Sequence, residues 1–371
     1  MSKKVAIILA YLYNNLGDDI FVQILCRRYP DINFYVATPG KMSSSLAKLP
    51  NLHFSKKMKE FDSQFGANEV SEKAKKYFKK FDACVAIGGS VFMQNSNMWS
   101  QVTRFKNRLE LSNRLYVIGA NFGPFNDNAF LSAYDRLFKK TTDICFRDID
   151  SVAYFPDVDS IRYAPDVVFT YGDVLAEEKN KIIISIIDCA WAGRPAQQQI
   201  RLKKSINEYE KLVFDACKAF SEKGLEVCLM SFCEPQGDDV AAKRIQEKCV
   251  EQGIERVRVF SYDGDIEAAI NEIATSKYVI ATRFHSMILG WLFNKPTFPI
   301  IYDNKQRTVI KDAGFLNSYC YLTEVSNISA QDIVESLQNY REFDCKAYAS
   351  EAENQFKGLD NFLRGEKHVR K

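Results

Sequence analysis

The feature of the sequence that most constrains the fold is a strand–helix–strand pattern in residues 278–301. Tyr278–Ala281 and Thr297–Ile301 are short apolar runs rich in β-branched residues, and a helical pattern separates them. A connection of this kind joins two parallel strands that are neighbours in one sheet. The pattern therefore predicts an α/β protein with a parallel sheet around this strand pair.

The same alternation of apolar runs and helical patterns continues along the whole chain. A polar break at residues 177–181 separates two sets of runs, which predicts a second α/β unit with its own sheet. Such alternation favours parallel sheets covered by helices on both faces, and we expect a cleft between the two units. The predicted strands are residues 5–10, 34–37, 83–87, 115–118, 144–146, 161–163, 182–187, 226–230, 257–260, 278–281 and 297–301.

Composition narrows the class of protein. The 371 residues carry a net charge of only +3, which gives no case for nucleic-acid binding. The apolar run at residues 5–13 is too short to span a bilayer and has no cleavage pattern, so we predict a cytoplasmic protein without a transmembrane segment. The ten cysteines include no C-x-x-C pair, which predicts buried free thiols and no metal site.

Arg283 and His285 follow the strand predicted at residues 278–281, at its carboxyl end. Residues two apart on an extended chain point the same way, so we expect the guanidinium and the imidazole to face a common space. Ligands of open α/β sheets bind at this edge, and the amino terminus of a helix favours an anion there. An arginine and a histidine at a strand end are more often packing or surface residues. However, the other two histidines, His53 and His368, lie in polar or basic stretches, so His285 is the candidate for any imidazole chemistry.

Polar and glycine-rich loops follow the predicted strands of the first half. Because the carboxyl ends of parallel strands share one edge, these loops predict a substrate site there. Asp18 is also predicted to cap the helix after the first strand. The candidate ligand-binding residues of this edge are Asn14, Asn15, Asp18, Gly88, Gly89, Ser90 and Asn121.

Taken together, these stretches resemble the polysaccharide pyruvyl transferase family over roughly residues 5–315. The resemblance implies a GT-B-like fold of two Rossmann-like domains. Residues 1–175 would bind the acceptor, residues 176–345 would bind the donor, and residues 346–371 would form a helix and a frayed basic tail. The motifs, in order, are Asn15-Leu-Gly17-Asp18, Ile87-Gly-Gly-Ser90, Gly123-Pro-Phe125, Arg147-Asp-Ile-Asp-Ser151, Ala164-Pro-Asp-Val-Val-Phe169, Arg283-Phe-His285, Pro296 and Tyr302-Asp-Asn-Lys305.

The resemblance also implies an activity and its partners. The pyruvyl group of phosphoenolpyruvate would move onto two hydroxyls of a sugar as a cyclic ketal, with release of phosphate. The acceptor would belong to a cell-surface polysaccharide or to its lipid-linked precursor at the inner face of the membrane. No cofactor is needed beyond this donor substrate.

The residue types suit this chemistry. Protonation of the methylene carbon of phosphoenolpyruvate makes the adjacent carbon electrophilic, and an imidazole titrates near neutral pH. The resemblance gives this role to His285 and gives binding of the donor's anionic group to Arg283, whose planar fork suits phosphate or carboxylate. Arg194, Lys305 and Ser286 are the further candidate donor contacts.

One departure and two alternatives remain open. Relatives often place an arginine near the end of the first strand of the second domain, whereas this chain has Asp188 there and its nearest arginine is Arg194. A GT-B glycosyltransferase with a nucleotide-sugar donor is one alternative, although the chain has no glutamate between Glu272 and Glu324 to hold a ribose, which argues against the retaining kind. A non-catalytic carbohydrate-binding relative is the other.

Overall fold

A computed structural model of the chain describes residues 3–194 and 196–365. These residues form two compact α/β units. The first comprises residues 3–12, 18–170 and 349–365, and the second comprises residues 13–17 and 171–348. The predicted basic tail, with His368, lies outside the described residues.

The first unit is built on a seven-stranded parallel sheet. Every residue of its two central strands at 83–87 and 115–120 is buried, so both faces of the sheet are covered. The strands are β1 (Lys4–Leu9), β2 (Asn33–Ala37), β3 (Leu52–Ser55), β4 (Ala83–Ile87), β5 (Leu115–Ala120), β6 (Asp143–Phe146) and β7 (Ile161–Tyr163). The helices are α1 (Leu16–Arg28), α2 (Ser44–Ala47), α3 (Lys56–Asp62), α4 (Glu72–Phe78), α5 (Met98–Leu111), α6 (Asn128–Phe138) and α7 (Ile149–Ala153).

The second unit has a six-stranded parallel sheet of its own. Its strands are β8 (Lys181–Ile186), β9 (Glu226–Ser231), β10 (Val257–Ser261), β11 (Tyr278–Ala281), β12 (Thr297–Ile301) and β13 (Cys320–Tyr321). Its helices are α8 (Ala196–Lys204), α9 (Ile206–Glu222), α10 (Asp238–Glu251), α11 (Ile266–Ala274), α12 (Phe284–Leu292), α13 (Asn304–Asp312) and α14 (Ala330–Gln338). Two further helices, α15 (Lys346–Ala352) and α16 (Lys357–Arg364), end the described chain.

The strand orders identify the architecture. The first sheet runs β3-β2-β1-β4-β5-β6-β7 and the second runs β10-β9-β8-β11-β12-β13. Both contain the Rossmann order, in which the strand sequence reverses beside the first strand and creates a ligand-binding edge. The predicted fold class of two parallel-sheet, Rossmann-like α/β domains is confirmed. The reversal lies between β1 and β4 in the first unit, and between β8 and β11 in the second.

Two strands were not predicted from the sequence. In β3 only Leu52 is buried, because this strand lies at the sheet edge, and its polar, half-exposed residues lack the apolar run that marked the others. β13 contains just two residues, which is too short to leave a periodic signal. The predicted strands around residues 278–301 match β11 and β12, and β11 pairs with both β8 and β12.

The carboxyl-terminal segment of the described chain, residues 349–365, belongs to the first unit. Its residue Gln355 is fully buried, and Nε2 donates to the carbonyls of Ala164 (2.7 Å) and Pro165 (3.0 Å). Oε1 of the same side chain accepts from the amide of Gly119 at 2.8 Å. This segment therefore supplies hydrogen-bond partners to backbone groups near the carboxyl ends of β5 and β7.

The described residues contain no candidate membrane-spanning helix, metal-binding group or disulfide bond. Among them, no helix combines the length and the apolarity that a membrane crossing requires. No group of three or more histidine, cysteine or acidic residues in residues 3–194 and 196–365 is arranged to hold a metal ion. None of the ten cysteines, all of which are described, forms a disulfide bond.

Candidate functional site

The turn from β11 into α12 lies at the reversal point of the second sheet. The amides of Thr282 and Arg283 both donate to the hydroxyl Oγ of Ser185 on β8, at 3.0 and 3.1 Å. Arg283 is the residue that caps α12, and His285 is the second residue of that helix. The expectation that both residues lie on extended chain was therefore wrong for His285, because the helix begins at Phe284, whereas the backbone of Arg283 is extended.

The side chain of Arg283 is already committed to partners within the second unit. It is buried, Nη1 donates to Oε1 of Gln236 at 2.7 Å, and Nη2 donates to the carboxylate of Asp238. Asp238 is fully buried and also accepts from the amides of Phe232 and Cys233, at 3.3 and 3.1 Å. Burial lowers the pKa of Arg283, but the charge and hydrogen bond of Asp238 together with the nearby Tyr302 and Cys233 raise it by more in sum, so the guanidinium stays charged.

Arg194 reaches the same edge of the second sheet from the loop after β8. Its Nη1 donates to the carbonyl of Asp188 at 2.6 Å, and its guanidinium carbon lies 5.3 Å from the ring centroid of Trp191 and 6.0 Å from that of Tyr302. Among the described residues it forms no ion pair, and its buried Nη2 has no hydrogen-bond partner. Burial lowers the pKa of Arg194, and the nearby charge of Arg283 adds to that shift.

Lys305, in the first turn of α13, contributes a third cation. Its ammonium lies 5.6 Å from the ring centroid of Phe284 and 5.9 Å from that of Tyr302, and it pairs with no carboxylate in the part of the chain that the structure describes. Arg194, Arg283 and Lys305 thus form a cationic cluster around Tyr302, in which Asp238 compensates one charge. Such a cluster can bind a dianionic or trianionic ligand.

Ser286 and Asp188 lie at the same edge of the second sheet. Ser286, the third residue of α12, is fully buried, and its hydroxyl has no hydrogen-bond partner among the described residues. The carboxylate of Asp188 turns back on its own loop, because Oδ1 accepts from the amide of Ala190 at 2.9 Å. On the other side, Oδ2 would lie 2.8 Å from a side-chain carbon at Gly237.

His285 is half-buried, and its ring packs against two neighbours. The ring centroids of Phe284 and His285 are 5.1 Å apart. The imidazole also lies directly against the backbone of Gly17, where an added Cβ would come within 1.7 Å of Nδ1. Gly17 belongs to the second unit together with residues 13–16.

Asn14 and Asn15 are also part of the second unit, apart from the other candidate acceptor residues. Nδ2 of Asn14 donates to the carbonyl of Tyr262 (3.0 Å) and to the carboxylate of Glu234 (3.1 Å). Oδ1 of Asn15 accepts from the amide of Gly17 at 3.1 Å. Asn14 and Asn15 therefore lie in the same unit as His285, on the segment whose Gly17 contacts the imidazole.

Asp18 belongs to the first unit, but it does not cap α1 as predicted. The helix begins at Leu16, so Asp18 is its third residue, and the side chain of Asn15 accepts an amide of the first turn instead. The carboxylate of Asp18 lies beside Gly88, because a Cβ at that glycine would be 3.6 Å from Oδ1. Gly88 has φ of +144°, a conformation that other residues avoid.

Gly89, Ser90 and Asn121 surround the guanidinium of Arg147 in the first unit. Nη2 of Arg147 donates to Oδ1 of Asn121 at 2.6 Å, and Ser90 Oγ donates to the same oxygen at 3.2 Å. Nη1 forms a fully buried ion pair of 2.8 Å with Asp166. A Cβ at Gly89 would lie 2.4 Å from Nη1, so the glycine gives Arg147 its space. Ser90 is the exposed member of this group.

Three residues at the carboxyl edge of the second sheet were not predicted from the sequence. Gln236 and Asp238 follow β9 at the same edge as the residues that were chosen, so the rule about strand ends applied to them as well. Ser185 is a polar residue within the apolar run of β8, which is a signal for a buried hydrogen-bonding role. The motif at 147–151 was recognised, but the central position of Arg147 was not.

Comparisons with known proteins identify the family of this chain. A sequence profile of the family described as polysaccharide pyruvyl transferase matches residues 15–304. The Amylovoran biosynthesis protein AmsJ of Erwinia amylovora is 23% identical over 253 residues, which cover 64% of this chain. The matched region spans only 60% of the length of that relative.

Solved structures with similar folds include S. aureus MnaA and a UDP-GlcNAc 2-epimerase. The UDP complex of S. aureus MnaA superposes with a TM-score of 0.58 at 12% identity, covering 98% of this chain and 97% of that one. The UDP-GlcNAc 2-epimerase of Methanocaldococcus jannaschii gives 0.57 at 10% identity, covering 96% and 99%. At such low identity the likeness establishes the GT-B-like fold alone.

Proposed function

Because this chain belongs to the polysaccharide pyruvyl transferase family, we propose that it moves the pyruvyl group of phosphoenolpyruvate onto two hydroxyls of a sugar. The product is a cyclic ketal, and phosphate is released. The sugar belongs to a cell-surface polysaccharide or its lipid-linked precursor. In this proposal the reaction takes place in the cytoplasm, at the inner face of the membrane when the acceptor is lipid-linked.

The observation that carries this proposal is the cationic cluster at the carboxyl edge of the second sheet. Phosphoenolpyruvate presents a phosphate and a carboxylate, and Arg194 and Lys305 are cations without a carboxylate partner among the described residues. The amino terminus of α12 adds amide donors beside the buried hydroxyl of Ser286. In this assignment Arg283 supports the cluster through its pairing with Asp238 and offers its remaining N–H groups to the donor.

The proposed reaction proceeds in two additions at one carbon. His285 gives a proton to the methylene carbon of phosphoenolpyruvate, which becomes the methyl group, and the adjacent carbon becomes electrophilic. The first sugar hydroxyl adds to that carbon. The second then displaces phosphate as the carbon–oxygen bond to phosphate breaks. One hydroxyl proton replaces the proton that His285 gave up, and the other leaves with phosphate.

The acceptor is assigned to residues at the edge of the first unit's sheet. Ser90 is exposed and is held next to Asn121, so its hydroxyl is available to a sugar. Asp18 lies beside Gly88, and Gly89 leaves room for the guanidinium of Arg147, which holds Asn121. Asn14 and Asn15 belong to the second unit and are left out of this set.

Thermal unfolding with and without ligands tests the donor class. Phosphoenolpyruvate at 100 times its dissociation constant should stabilise the folded state by about 2.7 kcal/mol, because a ligand that binds only the folded protein shifts the equilibrium by mass action. Nucleotide sugars at the same concentration should leave the melting temperature unchanged. Stabilisation by a nucleotide sugar but not by phosphoenolpyruvate would contradict the proposal and favour a glycosyltransferase.

An Arg194→Met variant separates donor binding from stability. A hydrogen bond to a charged group is worth about 1.5–3 kcal/mol, so affinity for phosphoenolpyruvate should fall about 10- to 100-fold. The melting temperature should stay the same or rise, because the variant removes a buried cation that has no counter-charge. Isothermal titration and a thermal scan measure the two effects. The matched control is Lys203→Met on the exposed side of α8, and equal donor affinity in both variants would remove Arg194 from the site.

A further inference from the structure

Gly17 occupies a position where no side chain fits. A Cβ built on its backbone would lie 1.7 Å from Nδ1, 2.3 Å from Cε1 and 2.6 Å from Cγ of His285. Real Cβ atoms do not approach other atoms this closely. The φ angle of Gly17 lies outside the left-handed region, so its backbone conformation is open to any residue. The requirement for glycine at this position therefore comes from the imidazole and not from the backbone.

The segment that carries Gly17 is fastened to the second unit at several points. The amide of Leu16 donates to the carbonyl of Phe232 at 3.0 Å, and Asn15 forms an antiparallel bridge with Cys233. Asn14 is buried, has φ of +55°, and donates to the carbonyl of Tyr262 at 3.0 Å. These contacts hold residues 14–17 in place, so the backbone of Gly17 forms a fixed wall beside His285.

We propose that Gly17 is a positioning residue for His285, and that residues 14–17 belong to the donor site as its wall. This inference rests on the proposed function, in which His285 gives the proton to phosphoenolpyruvate. The three imidazole atoms nearest to the Cβ position of Gly17 are Nδ1, Cε1 and Cγ, so the Nδ1 edge lies against the wall. The opposite edge carries Nε2, and this nitrogen delivers the proton.

In the proposed step a proton moves from Nε2 of His285 to the methylene carbon of the donor. The electron pair of the donor's carbon–carbon double bond takes the proton from Nε2 and forms the new carbon–hydrogen bond of the methyl group. The imidazolium becomes neutral imidazole, and the adjacent carbon accepts the oxygen of the first sugar hydroxyl. The proton lost by that hydroxyl restores the imidazolium. A ring displaced from the wall would no longer aim Nε2 at the methylene carbon, so turnover should suffer more than donor binding.

A Gly17→Ala variant of the full chain tests the proposal, with Gly40→Ala as its matched control. A Cβ at Gly40 would have no atom within 4 Å. We expect Gly17→Ala to lose about 10²-fold or more in turnover, the lower end of what general acid catalysis contributes, with little change in phosphoenolpyruvate affinity. Carbon–proton NMR of the imidazoles reports directly whether the ring of His285 has moved. The chain has three histidines, so His53 and His368 serve as internal references for a shifted His285 resonance.

A double-substitution cycle covers the case in which Gly17→Ala harms folding. In a His285→Ala background the methyl group at position 17 meets no imidazole, so Gly17→Ala should lower the melting temperature less than it does in the parent chain. Any of three results would overturn the proposal: normal turnover of folded Gly17→Ala, an unshifted His285 resonance, or an equal loss of melting temperature in both backgrounds. The resonance and the cycle do not depend on the donor. Failure of phosphoenolpyruvate to stabilise the parent chain would instead count against the proposed function.

Discussion

A His285→Gln variant is expected to lose about 10²- to 10⁴-fold in turnover, the range that general acid catalysis contributes. Glutamine keeps a hydrogen-bonding side chain but cannot act as an acid at neutral pH. Affinity for phosphoenolpyruvate should weaken only modestly, because the cationic cluster of Arg194, Arg283 and Lys305 remains intact. Single-turnover rates with a competent sugar acceptor, together with donor titrations, measure the two quantities separately.

The same substitution at His53 provides the control. His53 lies on β3 in the first unit, and its Nε2 is 2.8 Å from Oδ1 of Asn33. His53→Gln should therefore leave turnover and donor affinity unchanged. Near-normal turnover in folded His285→Gln would take this histidine out of the mechanism and weaken the assignment of the whole edge.

An Asp238→Asn variant is expected to lose about 3–5 kcal/mol of unfolding free energy, the cost of breaking a buried ion pair on one side. The substitution leaves the guanidinium of Arg283 buried without its counter-charge. Asparagine keeps an oxygen that can accept from the amides of Phe232 and Cys233, so the loss reports the charge. Urea denaturation of both proteins measures the difference.

The neighbouring Asp239→Asn is the control for this experiment. Asp239 is a half-buried residue whose 3.5 Å pair with Lys243 lies on the surface of α10, and such pairs contribute about 0–1 kcal/mol. Phosphoenolpyruvate should also stabilise Asp238→Asn by more than it stabilises the parent chain, because the donor's negative charge replaces the one removed. Equal stability of the two variants would show that Arg283 does not depend on Asp238.

The sequence predicted the frame of the donor edge because that frame depends on local periodicity. The helix at Phe284–Leu292 differs clearly in length from the short strands before and after it, and this order places Arg283 at a carboxyl edge. What the sequence could not predict is which residues meet across strands. Asp238 is 45 positions from Arg283 in the chain, and their contact depends on β9, β8 and β11 lying in that order.

The position of residues 14–17 shows a second limit. They follow β1 directly, so the sequence assigns them to the first sheet together with Gly88 and Asn121. Their partners, Phe232, Cys233 and Tyr262, come from the second half of the chain. A short polar segment carries no periodic pattern that could indicate such distant partners. The glycine at position 17 is required because a Cβ there would collide with the imidazole of His285, and the sequence alone does not show that the two residues are neighbours.

The place of Gln355 in the first unit gives this chain an order of assembly during synthesis. Domains generally fold as units while the chain emerges, the amino-terminal one first. Here the amide of Gly119 and the carbonyls of Ala164 and Pro165 receive their partner from a residue that is translated after all of residues 171–348. The strands of the first sheet are translated early, but these three backbone groups receive their hydrogen-bond partner only when Gln355 has been translated. The second unit is thus the first part of the protein that can reach its complete structure on the ribosome.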